Sequence, residues 1–155
     1  MDCIFCKIVS REIKSYKIYE DEDNIAFLDV FPLVEGQTIV TTKKHYGGYI
    51  FDMPDYAYTS LWNTVKVVSK MLDKNLPAER TMVVVSGVSV EHNHIKLFPV
   101  QNVKSNSVDQ DTYSKLKEMV DLQWYSGFLV NMPVKEKADD KKLEEIARRV
   151  GTTNH

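Results

Sequence analysis

Residues 90–98 alternate with a period of two, and that alternation commits them to a strand. His92, His94 and Lys96 project to one side, and Asn93, Ile95 and Leu97 to the other. One side is apolar enough to pack, while the other carries a row of nitrogen groups. At strand spacing His92 and His94 stand about 7 Å apart on a common face. The spacing leaves two readings open: the exposed polar face of an edge strand, or a cluster of nitrogen groups kept for chemistry. Pro99 is expected to end the strand.

The chain before this segment reads as further short strands and one long helix. Residues 17–20 and 24–29 are β-branched and aromatic runs split by Asp21, Glu22 and Asp23, a hairpin with an acidic turn. A third strand covers residues 37–42, entered through Gly36. From Pro54 to about Asn75, Tyr56, Leu61, Val65, Val68, Met71 and Leu72 recur at helical spacing, with Asp52 placed to cap the start. Residues 81–86 are too apolar for an edge strand facing water, which predicts a central strand followed by a turn at Gly87. Beyond Val100 come a polar connector, a helix near 111–123, an aromatic stretch from Trp124 to Val130 and a charged helix near 139–150. Pairs such as Glu145 with Arg149 predict a solvated face on that last helix. The aromatic stretch either packs the C-terminal helices on the sheet or, in a zinc-stabilised interaction protein, binds a partner.

With 155 residues, 43% hydrophobic and 27% charged, the chain has apolar material for one compact domain, which excludes a disordered or collagen-like chain. Its 20 basic and 22 acidic residues leave a net charge of −2, which argues against general DNA binding. There is no run of about 18 apolar residues, and the N-terminus lacks the pattern of a signal peptide. The expectation is a cytoplasmic protein with no membrane partner.

The two cysteines, Cys3 and Cys6, form one C-x-x-C, too local to staple distant parts of a fold. Metal binding, redox chemistry or two free thiols remain. A structural zinc normally takes four ligands, and the sources for the other two are His45 and one member of the His92/His94 pair. A thioredoxin-like pair would follow a strand and open a helix, and nothing strand-like fits before residue 3. The fourth histidine, His155, ends the chain.

Taken together, CIFCKI at 3–8, YEDEDNIAFLDV at 19–30, GQTIV at 36–40, KKH at 43–45 and VSVEHNHIKLFP at 88–99 resemble the histidine triad family of nucleotide hydrolases and transferases. The resemblance implies an α+β fold with a five-stranded antiparallel sheet and a long helix that pairs in a homodimer. Residues 1–100 would form the nucleotide-binding core, and 101–155 an extension packed on the same domain. The family's triad is His-φ-His-φ-His-φ-φ, with φ apolar, and its middle histidine, here His94, attacks the α-phosphorus of a nucleotide to form a covalent nucleotidyl intermediate. A neutral imidazole suits that task near pH 7. Members with a leading C-x-x-C hold structural zinc at the positions of Cys3, Cys6, His45 and His92. The purine base and ribose would meet Phe5, Ile8, Ile13, Phe27, Asp29 and Val30, with Asp29 accepting from the ribose hydroxyls and Ser89 contacting phosphate. For the apolar five, plain core packing is the rival role, and for Asp29 a turn after a strand.

The departures bear on activity. Lys96 replaces the third histidine and brings a fixed positive charge. Gln37 stands where the family has histidine, Val88 where it has glutamine and Val85 where it has asparagine. The expected function is hydrolysis or nucleotidyl transfer at the α-phosphate of a nucleoside phosphoramidate or dinucleoside polyphosphate. The alternative is a catalytically impaired nucleotide-binding module of the same family.

Overall fold

The computed structural model describes residues 3–85, 87, 90–100 and 136–151. The expected helix near 111–123, the aromatic stretch 124–130, Val88, Ser89 and His155 lie outside them. The elements are α1 (Ile4–Val9), β1 (Lys17–Glu20), β2 (Asn24–Leu28), β3 (Thr38–Thr42), a 3-10 turn (Ile50–Asp52), α2 (Asp55–Asn75), β4 (Arg80–Val84), β5 (His94–Val100) and α3 (Asp140–Gly151). The strands form one sheet in the order β1-β2-β3-β5-β4. Every neighbouring pair is antiparallel. This is the expected α+β architecture.

The acidic turn between β1 and β2 is made by Asp21, whose Oδ1 accepts the backbone N–H groups of Asp23 (3.0 Å) and Asn24 (2.7 Å). The same hairpin is fastened to α2. Asn24 is fully buried and donates to the Ser60 and Thr64 hydroxyls at 2.9 and 3.0 Å, and these donate in turn to Asp23 and Asp21. This polar staple holds the helix to the hairpin.

Helix α2 lies on one face of the sheet. Its Ala57, Leu61, Val65, Val68, Met71 and Leu72 pack with Ala26, Leu28, Val40, Ile95 and Leu97 of the strands. The core-facing residue of the first turn is Ala57, whereas Tyr56, expected on the stripe, is exposed. Asp52 makes no cap: it sits in the 3-10 turn, and α2 begins after Pro54 without a side-chain cap. Helix α3 has the expected solvated face, with Glu145 and Arg149 exposed, and opposite it an apolar one. Leu143, Ile146 and Val150 enter the α2 core, while Arg149 reaches Glu35 and Glu144 pairs with Lys14 at the rim.

Strands β2 and β3 are buried along their whole lengths, because the opposite face of the sheet is covered too. There Cys3, Phe5 and Ile8 of the N-terminal segment pack on Ile25, Phe27 and Ile39. Gly36 leads into β3 with φ +80°, the left-handed region that favours glycine, and a Cβ there would also crowd the end of the Leu76 side chain at 2.3 Å.

Two strand expectations are corrected. β4 is an edge strand, and Met82 and Val83 on it are exposed. An apolar run signals surface that wants covering, not a place in the strand order. Pro99 does not end β5 but lies inside it, opposite Thr81 of β4. It sits beyond Leu97, the last residue paired with β3, so the missing N–H costs no bond on that side. No helix among the described residues is long and apolar enough to cross a membrane.

Candidate metal and nucleotide site

The start of β5, the end of β3 and the N-terminal segment converge on one face of the sheet. His92 is not in the strand but in the bend before it, and His94 is the first strand residue. Both rings nonetheless meet Phe5 edge-on, at centroid distances of 5.9 and 5.1 Å. His92 and His94 are almost entirely buried, the one just before an interior strand and the other at its start, which overturns the reading of an exposed polar edge.

Their hydrogen bonds define their tautomers. The His92 Nε2 lies 2.8 Å from the Thr42 carbonyl, and a carbonyl can only accept. Nε2 therefore carries the proton and Nδ1 presents a lone pair, which lies 3.3 Å from Cys3 Sγ and 3.6 Å from Cys6 Sγ. His45 Nδ1 lies 3.4 Å from Cys6 Sγ. The four ligand atoms all fall within 4.8 Å of one another. With Zn–S near 2.3 Å and Zn–N near 2.0–2.1 Å, a tetrahedral S···N edge is about 3.5 Å, so the donor set fits such an ion in type and spacing. The Thr42 carbonyl supplies the outer hydrogen bond that metal-binding imidazoles generally have. Burial, and next the neighbouring Cys3, push the Cys6 thiol up.

His94 has the reverse arrangement. Its Nδ1 donates to the His92 carbonyl at 2.8 Å, leaving Nε2 as the lone-pair nitrogen, buried and without a partner among the described residues. Burial lowers its pKa from the ordinary 6.5, and the charge of Lys96 acts in the same direction against the pull of the His92 carbonyl and of Asp29. The ring is neutral at pH 7. Lys96 follows on the same strand face, half-buried and with no ion pair among the described residues. Asn93, at a φ position of the triad, is fully buried, and neither amide atom has a hydrogen-bond partner among the described residues.

Of the residues expected around a nucleotide, Phe5, Ile8 and Phe27 are buried together, with Phe5 and Phe27 in edge contact at 5.8 Å. They do pack a small core, and that core is the wall against which His94 sits. Ile13 is exposed, and Val30 is partly buried against the main core. Ser89 lies outside the described residues. Asp29 is mostly buried, and its Oδ1 accepts the Phe31 N–H at 2.9 Å, so it has the turn role weighed for it. Its Oδ2 accepts from Gln37 Nε2 at 2.7 Å. Sequence reasoning marked Gln37 only as a departure and missed the Thr42 carbonyl, because a backbone acceptor carries no residue code.

The HIT domain family model matches residues 10–103, more than half of the chain, and the chain belongs to that family. An adenosine 5′-monophosphoramidase of Saccharomyces cerevisiae is 32% identical over 111 residues, covering 68% of this chain and 67% of the yeast protein. Among solved structures, a hypothetical histidine triad nucleotide-binding protein of Sulfolobus tokodaii has a similar fold, with a TM-score of 0.72 at 23% identity over 96% of this chain and 89% of its own. A Zn-bound histidine triad family protein of Mycobacterium smegmatis follows at a TM-score of 0.68 and 21% identity, over 97% and 91%.

Proposed function

We propose that the protein is a nucleotide hydrolase or nucleotidyl transferase that acts at the α-phosphate of nucleoside phosphoramidates or dinucleoside polyphosphates through a His94-nucleotidyl intermediate. The observation that carries the reading is the His94 ring: neutral, with Nδ1 tied to a carbonyl and Nε2 buried and unpartnered. Nε2 attacks the α-phosphorus as the bond to the leaving group breaks, an amine departing with a proton taken from solvent and a nucleotide departing as its phosphate anion. The ring then carries positive charge, which the Nδ1–H to carbonyl contact stabilises. Water attacks the phosphorus and gives up a proton to solvent, the N–P bond breaks with its electron pair returning to Nε2, and the mononucleotide leaves with the imidazole restored. Lys96 supplies a fixed positive charge to the phosphate oxygens, and the purine and ribose rest against Phe5, Ile8, Ile13, Phe27, Val30 and Asp29, with Ser89 at the phosphate. The monophosphoramidase name of the yeast relative supports hydrolysis of nucleotides in general.

Cys3, Cys6, His45 and His92 would hold a structural Zn2+, whose part is to fix the N-terminal segment and the bend before His94 rather than to touch substrate. Two copies pair as a homodimer, and the exposed apolar residues Met82, Val83 and Val85 at the β4 edge support that association.

The test is turnover of adenosine 5′-phosphoramidate and a diadenosine polyphosphate by wild type and His94→Ala. Turnover lost in the variant is expected, whereas turnover retained at the parent rate would contradict the nucleophile assignment. Lys96 in place of the third imidazole favours one rival, a binding module that holds a purine nucleotide without cutting it. Tight binding with no turnover in the wild type would select that rival.

A further inference from the structure

Gln37 makes more polar contacts than a residue at the mouth of a strand requires. It is almost fully buried, and four hydrogen bonds tie it to the loop that β2 runs into. Its Oε1 accepts the Leu33 N–H at 2.7 Å, and since a backbone N–H only donates, the orientation of the amide is determined and Nε2 must face Asp29. Nε2 donates to Asp29 Oδ2 at 2.7 Å. On the backbone, Asp29 N donates to the Gln37 carbonyl at 2.8 Å, and Gln37 N donates to the Val34 carbonyl at 3.1 Å. The loop is braced from outside as well: the Val30 carbonyl accepts from Ala138 N at 2.9 Å, and Glu35 pairs with Arg149 and Lys142 at 2.8 and 3.2 Å.

The Asp29 carboxylate is thus held at both oxygens, by Gln37 on one and Phe31 N–H on the other. Each oxygen keeps a lone pair in the carboxylate plane, and that plane can no longer rotate. Two acceptors at a fixed separation match two adjacent hydroxyl donors. Asp29 extends β2 by one residue through its N–H to the Gln37 carbonyl, so it follows Ile25 and Phe27 on the face of the sheet that carries His94.

We infer that Gln37 is a positioning residue for ribose: by fixing the plane of the Asp29 carboxylate it makes the site distinguish nucleotides with a vicinal 2′,3′-diol from their deoxy counterparts. The inference rests on the nucleotide reading above. It makes Gln37 responsible for a ratio of affinities rather than for affinity as such. A variant that merely loosened the fold would lower binding of both sugars together.

The experiment is equilibrium binding of AMP, 2′-deoxy-AMP and 3′-deoxy-AMP to the full-length protein as wild type, Gln37→Leu and Gln37→Met. Gln37→Met keeps the length of the unbranched side chain while removing the donor to Asp29, and the thermal midpoint of each variant reports whether the loop is retained. Wild type should prefer AMP over each deoxy form by about tenfold or more, the scale of one hydrogen bond to a charged group, and both variants should bring the ratio towards one. Equal wild-type affinity for AMP and its deoxy forms would overturn the inference, as would a wild-type ratio retained in either variant. No binding of AMP by wild type would overturn the nucleotide reading itself, and the inference with it.

Discussion

The two faces of the sheet are held by different physics. On one, α2 and α3 lay aliphatic side chains across Ala26, Leu28, Val40, Ile95 and Leu97, and burial of apolar surface is sufficient to hold them. On the other, the described core is six residues, Cys3, Phe5, Ile8, Ile25, Phe27 and Ile39, under a helix of only six residues. That is too little apolar surface to order a short helix by itself. The same face carries two thiols and three imidazoles, groups that repay burial only when bound to something. The helix face stabilises the fold, and the histidine face depends on it and on its ligands.

The largest expected effect breaks the helix face. Leu61, fully buried at the centre of α2, should cost about 2–5 kcal/mol on replacement by alanine, and chemical denaturation should show both faces lost together. Cys3→Ser should break only the other face. One zinc per chain should fall to none by metal analysis, and hydrogen exchange should accelerate in residues 3–9 while the centre of α2 stays protected. Loss of protection throughout α2 in that variant would refute the division.

A smaller effect of opposite sign sharpens the comparison at the strand both faces share. Asn93 has no hydrogen-bond partner for its buried amide among the described residues, so Asn93→Val should raise stability by about 1–3 kcal/mol. A destabilised variant would mean that the amide has a partner. The smallest effect lies at the sheet edge. Lys17, and then Lys43, hold the Glu20 carboxyl down to about 2 from an ordinary 4.5. The stability this contributes is present above 4.5 and is lost as pH falls from there towards 2. The urea midpoint of wild type should exceed that of Glu20→Gln at neutral pH and converge on it in acid, and a gap that widens in acid would contradict the pairing.

Much of the helix face was legible in the chain, because period and burial are the same information there. The stripe of Leu61, Val65, Val68 and Met71 and the hairpin about Asp21 follow from the sequence, whereas the first turn, with Ala57 inward and Tyr56 outward, the absent Asp52 cap and the apolar side of α3 do not. Period does not encode strand order, so β4 was placed in the middle when it lies at the edge. The histidine face was legible as residue types rather than as geometry. The C-x-x-C announced ligand chemistry, but His45 and His92 come from separate segments, and spacing alone left the choice between His92 and His94 open. What separates the two rings is a pair of backbone carbonyls, Thr42 and His92, which give them opposite tautomers. Nothing in the identity of either residue codes for that.

The central claim is that the buried, unpartnered Nε2 of His94 is the atom that bonds phosphorus. It is tested most directly by mixing the protein with adenosine 5′-phosphoramidate, quenching in alkaline denaturant during turnover and measuring intact mass. The account predicts an adduct of one adenylyl group per chain, mapped by fragmentation to His94 and missing in His94→Ala. Steady turnover with no adduct, or the same adduct in His94→Ala, would contradict it.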